Sequence, residues 1–324
     1  MIYAVTSFGI LFAVMWFIDP LQLFRYHDDY FKDGFQPNKG TVSLRQYEHF
    51  APYKKFDSFI VGSSLAINYH IDDWKKYLPT DSRPFHFDSS AQSVLSLQKF
   101  IEYLCEHSDT IRHVLIPTSP KLIASGQKSG IPFVDPPKIN PAGTLDYYNA
   151  AFREMLYRKF LYGYIAWRTV GRPPRFDHRL YLSEYQGPYY PEINEETTPQ
   201  FDTLLAEDPE AFHRHFNYVF TKGPARRLDS VIIDTEKEKA LRAVADALRD
   251  KNADFRFVLG PNTEHIQLSC RDDSLLCDIF GDRYYNLVGQ LDSLAGQPQY
   301  WYDPTHYSPE VCRRIMHIVY NSKP

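Results

Sequence analysis

At 324 residues the chain exceeds a minimal domain and falls short of two average ones, which suits one elaborated domain or one domain with an insertion. Hydrophobic residues make up 44% and charged residues 23%, which excludes a disordered or fibrous chain. The formal net charge of -4 lacks the basic excess of a dedicated nucleic-acid binder, so no nucleic-acid partner is expected.

In chain order, the first feature is IYAVTSFGILFAVMWFI, residues 2–18, which carries no charge. At ~1.5 Å per residue it spans roughly 26 Å, the short end for a bilayer core. No small-residue cleavage site follows it and no basic segment precedes it. Residues 1–25 therefore read as an uncleaved signal anchor and transmembrane helix, with a buried N-terminal helix as the alternative. Residues 26–56 are polar and aromatic without sustained periodicity, and they read as a stalk packed on the domain that occupies 57–324.

An α/β rhythm starts at residue 57. DSFIV (57–61) is a short strand closed by Gly62-Ser63-Ser64, and FHFD (85–88) is a second, closed by Ser89-Ser90. Val94, Leu97, Ile101 and Leu104 recur at helical spacing. RHVLI (112–116) is a third strand, ended by Pro117-Thr118-Ser119-Pro120. Residues 120–230 break the rhythm and read as one aromatic-rich insertion. Thr235 to Glu238 has capping-box spacing, and Ala240, Leu241, Val244, Ala245 and Leu248 share a helical face. FRFVL (255–259) is a fourth strand, followed by a helix around 278–292 and a short final strand at 300–302. Ser308 and Pro309 are placed as N-cap and first residue of the last helix. Strands alternating with helices imply a parallel sheet covered on both faces, with ligands beyond the carboxyl ends of its strands.

Two strand ends carry the chemistry. Ser64 follows the first strand on a turn, and Asp303-Pro304-Thr305-His306 precedes the last helix. An Asp beside a His can fix the imidazole tautomer, leaving the other ring nitrogen to take a serine proton. No nucleotide-binding glycine motif and no zinc-type cysteine pair occurs, so neither a metal nor a cofactor is expected. Cys270 and Cys277 flank the polar stretch RDDSLL and could close a small disulfide; Cys105 and Cys312 read as buried apolar residues.

VGSS (61–64) together with D-x-x-H-Y (303–307) resembles the SGNH/GDSL hydrolase superfamily. With the apolar N-terminus, Asp19-Pro20, FDSFIVGSS and DPTHYS, the chain is most similar to its membrane-anchored branch. That branch includes the D-alanine-transfer protein of lipoteichoic-acid synthesis and the O-acetylation proteins of alginate-type polysaccharides. The resemblance covers 57–119 and 231–324, not 120–230. It implies an SGNH-like three-layer α/β/α sandwich, with Ser64 as nucleophile, His306 as base and Asp303 as its orienting partner. It further implies an extracytoplasmic, membrane-anchored acyl (acetyl) transferase or esterase, with a polysaccharide acceptor or a membrane-bound O-acyltransferase as partner.

The family pattern is incomplete here. Ser63 stands for the Asp of Gly-Asp-Ser, Ser89-Ser90-Ala91 for the second-block glycine, and Pro117-Thr118-Ser119 for Gly-x-Asn. The oxyanion hole is thus expected from backbone N–H groups of Ser64 and of Ser90 or Ala91, with a side-chain donor at Thr118 or Ser119. These departures keep a non-catalytic binding or partner protein as the alternative. Within the insertion, nine tyrosines lie between 147 and 190 beside Arg153, Arg158, Lys159, Arg168, Arg172, Arg175 and Arg179. That stretch reads as a Tyr-rich helical subdomain folded on its own core, or else as a sugar-stacking or membrane-docking surface.

Overall fold

The computed structural model describes residues 9–10, 13, 16–126, 130–131, 133–170, 187–218 and 226–321. In chain order the main elements are α1 (Lys39–Lys54), β1 (Ser58–Gly62), β2 (Pro84–Asp88), α2 (Val94–His107) and β3 (His113–Thr118). There follow α3 (Thr144–Met155), α4 (Arg158–Val170), α5 (Thr235–Asp250), β4 (Asp254–Leu259), α6 (Cys270–Phe280), β5 (Tyr284–Asn286) and α7 (Pro309–Asn321). The five strands form one sheet in the order β2-β1-β3-β4-β5, and every pairing is parallel. This is the expected α/β class, a doubly wound sheet whose strand order reverses between β1 and β3.

Both faces of the sheet are covered. Phe59, Val61, Phe85, Phe87, Val114 and Ile116 face α1, α2, α5 and α6. Ile60, Leu115 and Val258 face α7 and the Ser64 side, with Trp74, Tyr69 and Trp301 filling that layer. Burial on both sides explains why these strands are nearly continuous apolar runs rather than alternating ones. Gly62 ends β1 where an added Cβ would lie 3.1 Å from the Pro117 carbonyl, so the close approach of β1 and β3 requires its missing side chain.

Several expectations are corrected. The stretch expected as a stalk contains α1, a sixteen-residue helix capped by Asn38, and its Leu44 and Tyr47 join the main core. The fifth strand is 284–286, not 300–302, and the helix expected around 278–292 ends at Phe280. Gly281, at φ 61°, stops that helix in a conformation a side chain would resist. Trp301 makes only an isolated bridge to Tyr307. Asp234, one residue before the expected box, caps α5 by accepting from the Lys237 N–H. Ser308 does precede α7, but its hydroxyl is buried without a hydrogen-bond partner and caps nothing. Cys270 and Cys277 are free, exposed residues of α6. Two helical turns separate them by about 10 Å along the axis, beyond disulfide reach.

The insertion after β3 carries α3, α4, the short helices Pro199–Glu207 and Pro209–His215, and a two-residue antiparallel pairing of Tyr189–Tyr190 with Glu195–Glu196. The Ile193 carbonyl accepts from the His86 N–H and so covers the outer edge of β2. Among the described residues no helix is long and apolar enough to cross a membrane. Most of the run expected as an anchor, 2–18, lies outside the described residues, as do Arg172, Arg175 and Arg179.

Candidate active site

The strand-order reversal places the end of β1 in a crevice, and the chain there turns at once into a 3-10 helix, Ser64–Asn68. Ser63 starts it, its hydroxyl accepting from the Leu65 N–H at 3.3 Å and its carbonyl from the Ala66 N–H at 2.8 Å. Ser64 is thereby the first helical residue. Its side chain is half-buried, and its backbone N–H has no acceptor within the helix.

From the other side comes a tight hairpin, 301–307. The Tyr302 N–H donates to the His306 carbonyl at 2.8 Å, and Thr263 Oγ1 donates to the Pro304 carbonyl at 2.8 Å. Tyr307 anchors it to the serine element. Asn68 Nδ2 donates to the Tyr307 carbonyl at 2.7 Å, and the Tyr69 and Tyr307 hydroxyls bond at 2.9 Å. Gly260, at the end of β4, lets Tyr307 in, because an added Cβ would lie 2.8 Å from its hydroxyl oxygen. Asn68, Tyr69 and Tyr307 carry no reactive signature in the sequence, yet they set the distance between the two halves.

The result is a continuous line of hydrogen bonds. Ser64 Oγ lies 2.7 Å from His306 Nε2, and His306 Nδ1 lies 2.6 Å from Asp303 Oδ2. The other oxygen, Asp303 Oδ1, accepts from the Thr305 N–H, the Thr305 hydroxyl and the His306 N–H at 2.7, 2.8 and 2.9 Å. Burial alone would raise this carboxyl, but the bonded imidazole and the Thr305 donors pull it down to about 2. An ionised Asp303 accepts from Nδ1–H, which leaves Nε2 unprotonated and facing the serine hydroxyl as its acceptor. Chemically, this arrangement can withdraw a proton from Ser64 as its oxygen attacks.

The other sequence-expected residues fall nearby in different roles. Ser89 donates its N–H to the Gly62 carbonyl at 3.0 Å, which lays the 89–93 turn against the end of β1. Ser90 and Ala91 occupy that turn half-exposed, and Ala91 adopts φ 54°, a conformation natural to glycine. Gln92, Ser93, Gly62, Ser63 and Thr118 border a cavity of about 20 Å³ behind the turn, room for one water. Ser119 caps the short helix Pro120–Ala124, its hydroxyl accepting from the Leu122 N–H at 3.3 Å. Thr118 is buried, and its carbonyl accepts the Gly260 N–H at 2.9 Å.

The turn also rests on a residue the sequence did not single out. Ser89 Oγ donates to Asp135 Oδ1 at 2.9 Å, and the segment before Asp135 is tied to Asn38, whose Nδ2 donates to the Val134 carbonyl at 2.7 Å. Burial pushes the Asp135 carboxyl up to about 6, and the Ser96 and Ser89 hydroxyls offset only part of that. Lys39 lies next along this seam, buried 3.7 Å from Asp88 and donating to the Asn194 carbonyl at 3.3 Å. Among the described residues no group of histidine, cysteine and acidic side chains could hold a metal ion. No protein-family model matches this chain, and no curated protein matches it.

Proposed function

We propose that this chain is a membrane-anchored, extracytoplasmic serine acyltransferase or esterase of SGNH type, acting on a cell-envelope or exported polysaccharide. The observation that supports this reading best is the hydrogen-bonded line from Ser64 through His306 to Asp303. As Ser64 Oγ bonds to the acyl carbon, its proton passes to His306 Nε2. The oxyanion that forms is met by the Ser64 backbone N–H and by an N–H of the Ser90–Ala91 turn. Collapse expels the donor's alcohol, which takes the proton from His306 and leaves an acyl-serine. A sugar hydroxyl, or water, then gives its proton to His306 and attacks the same carbon, and the departing Ser64 oxygen takes that proton from His306, which restores both groups. Residues 2–18 hold the domain at the membrane, and the acyl group is acetyl, as the family resemblance implies.

A second reading, a catalytically impaired partner of a membrane O-acyltransferase, has one observation in its favour. Ser119 stands where the family places an asparagine donor, and its hydroxyl caps a helix instead. One missing oxyanion donor typically costs ~10²–10³ in rate.

Turnover of p-nitrophenyl acetate, with and without a soluble acetylatable oligosaccharide, separates the two readings. The acyl-serine reading expects slow hydrolysis that vanishes in Ser64→Ala. Hydrolysis equal in Ser64→Ala and the unmodified chain would leave the partner reading.

A further inference from the structure

Among the described residues fifteen large apolar side chains stand exposed, and eleven belong to two segments. Ile10, Trp16, Phe17 and Ile18 lie in the uncharged N-terminal run, the last three at its end; the other seven lie on or beside α3 and α4. Scattered exposed apolar residues need no explanation, but a concentration of this kind marks an interaction surface.

The two segments form one surface. Leu21 and Leu23, just after the run, share a core cluster with Tyr147, Ala151 and Met155 of α3. Phe24 stacks on Tyr148 with ring centroids 6.0 Å apart and lies 5.8 Å from Trp16. Helix α3 is therefore apolar on two faces. Tyr147, Ala151 and Met155, four residues apart, pack on the post-run segment. Leu145, with Leu156 just beyond the helix, projects away from it, and Leu145 is 85% exposed, while Tyr148 lies at the border, stacked on Phe24 and 43% exposed. Among the described residues of the tyrosine-rich stretch, α3 is thus not folded on a core of its own but shares one with residues 21–35.

Composition selects the occupant. Tyr148, Tyr157, Tyr162 and Trp16 pair an apolar ring with a polar tip, the residue types that gather at the level of lipid headgroups. Arg25, Arg153 and Arg168 are exposed on the same segments, and basic side chains there favour anionic headgroups. A seventeen-residue run without charge ends on this patch, so whatever receives the run meets the patch too.

We propose that α3 and α4, with the aromatic residues after the N-terminal run, form an interfacial surface that rests in the headgroup layer of an anionic phospholipid bilayer. This rests on reading residues 2–18 as membrane-embedded, and it is independent of the catalytic reading of Ser64. It fixes the distance and tilt of the crevice relative to the membrane by a second contact beside the anchor.

Photolabelling of the full chain tests it. The chain is reconstituted in phosphatidylcholine vesicles with and without phosphatidylglycerol, each doped with a phospholipid bearing a diazirine near the glycerol. Adducts are then mapped by peptide mass spectrometry. The proposal expects adducts on 2–18 and also on 144–170, the latter rising about fivefold with the anionic lipid, as one basic group near the surface would give. The triple variant Leu145→Glu, Leu156→Glu, Ile165→Glu, shown folded by circular dichroism, should lose adducts on 144–170 and keep those on 2–18. Adducts confined to 2–18 would overturn the interfacial surface while leaving the anchor. Adducts confined to 144–170 would remove the embedded run on which the proposal rests and so overturn it. Chemical cross-links joining 144–170 of two copies, in place of lipid adducts, would assign the patch to self-association and overturn the proposal.

Discussion

Asp303 and Asp135 are both carboxyls drawn out of water at the carboxyl end of the sheet, and they end in opposite states. In the 301–307 hairpin, Asp303 receives donors on both oxygens and pairs with His306, so its carboxyl falls to about 2. In the seam between the insertion and β2, Asp135 faces the neutral hydroxyls of Ser96 and Ser89, and its carboxyl rises to about 6. Burial pushes both upward; the number and charge of the donors decide which effect wins. The hairpin is built to hold a charge beside the serine, whereas the seam tolerates its acid by favouring the neutral form.

The largest way to break this contrast is Asp303→Asn. An amide cannot hold the Nδ1–H tautomer as a carboxylate does, so ester turnover should fall by roughly 10³–10⁴ with the fold intact, as read by steady-state kinetics beside circular dichroism. In the seam, Lys39→Ala should destabilise instead. Removing the cation leaves Asp88 buried without its ion partner, a loss of about 3–5 kcal/mol in urea unfolding, because breaking a buried pair costs far more than never having built one.

Asp135→Asn sharpens the comparison. A carboxyl raised in the folded state binds its proton more tightly there than in the unfolded chain. Its contribution is therefore fully present below pH ~4 and is lost as the pH rises through about 6, by roughly 3 kcal/mol. The amide should raise stability at pH 7 and flatten the slope between pH 4 and 6. Asp303 works the other way: its contribution is present above pH ~4 and fades as the pH falls toward 2, so Asp303→Asn should flatten only that acid limb. The smallest effect is expected for Tyr307→Phe, which leaves the buried Tyr69 hydroxyl without its partner and should cost about 1–3 kcal/mol.

How far the sequence could be read follows the same division. The first four strands were legible because they are apolar runs closed by turn residues. Ser64 was legible because it directly follows the first of these runs, and Asp303 and His306 because they stand just before the Ser-Pro start of the last helix, although the strand expected beside them at 300–302 is not one. Strand β5 was not, since Tyr284, Tyr285 and Asn286 are short, half-buried and at the sheet edge. Trp301, fully buried, imitates a strand residue while serving a hairpin. The seam was invisible for a different reason. Lys39, Asp88, Asp135 and Asn194 are polar and far apart in the chain, and polar residues read as solvated unless their partners are known. Asn68, with its amide on the Tyr307 carbonyl, spans 239 positions, a pairing no local pattern encodes.

Fluorophosphonate labelling of the full chain asks whether His306, oriented by Asp303, activates Ser64. The reagent needs an activated serine and no acceptor sugar, so even a poor hydrolase reports. A single adduct mapped to Ser64, lost in Ser64→Ala and strongly slowed in His306→Ala, is the predicted result. A folded chain that takes up no label at Ser64, or labels equally after His306→Ala, would contradict it.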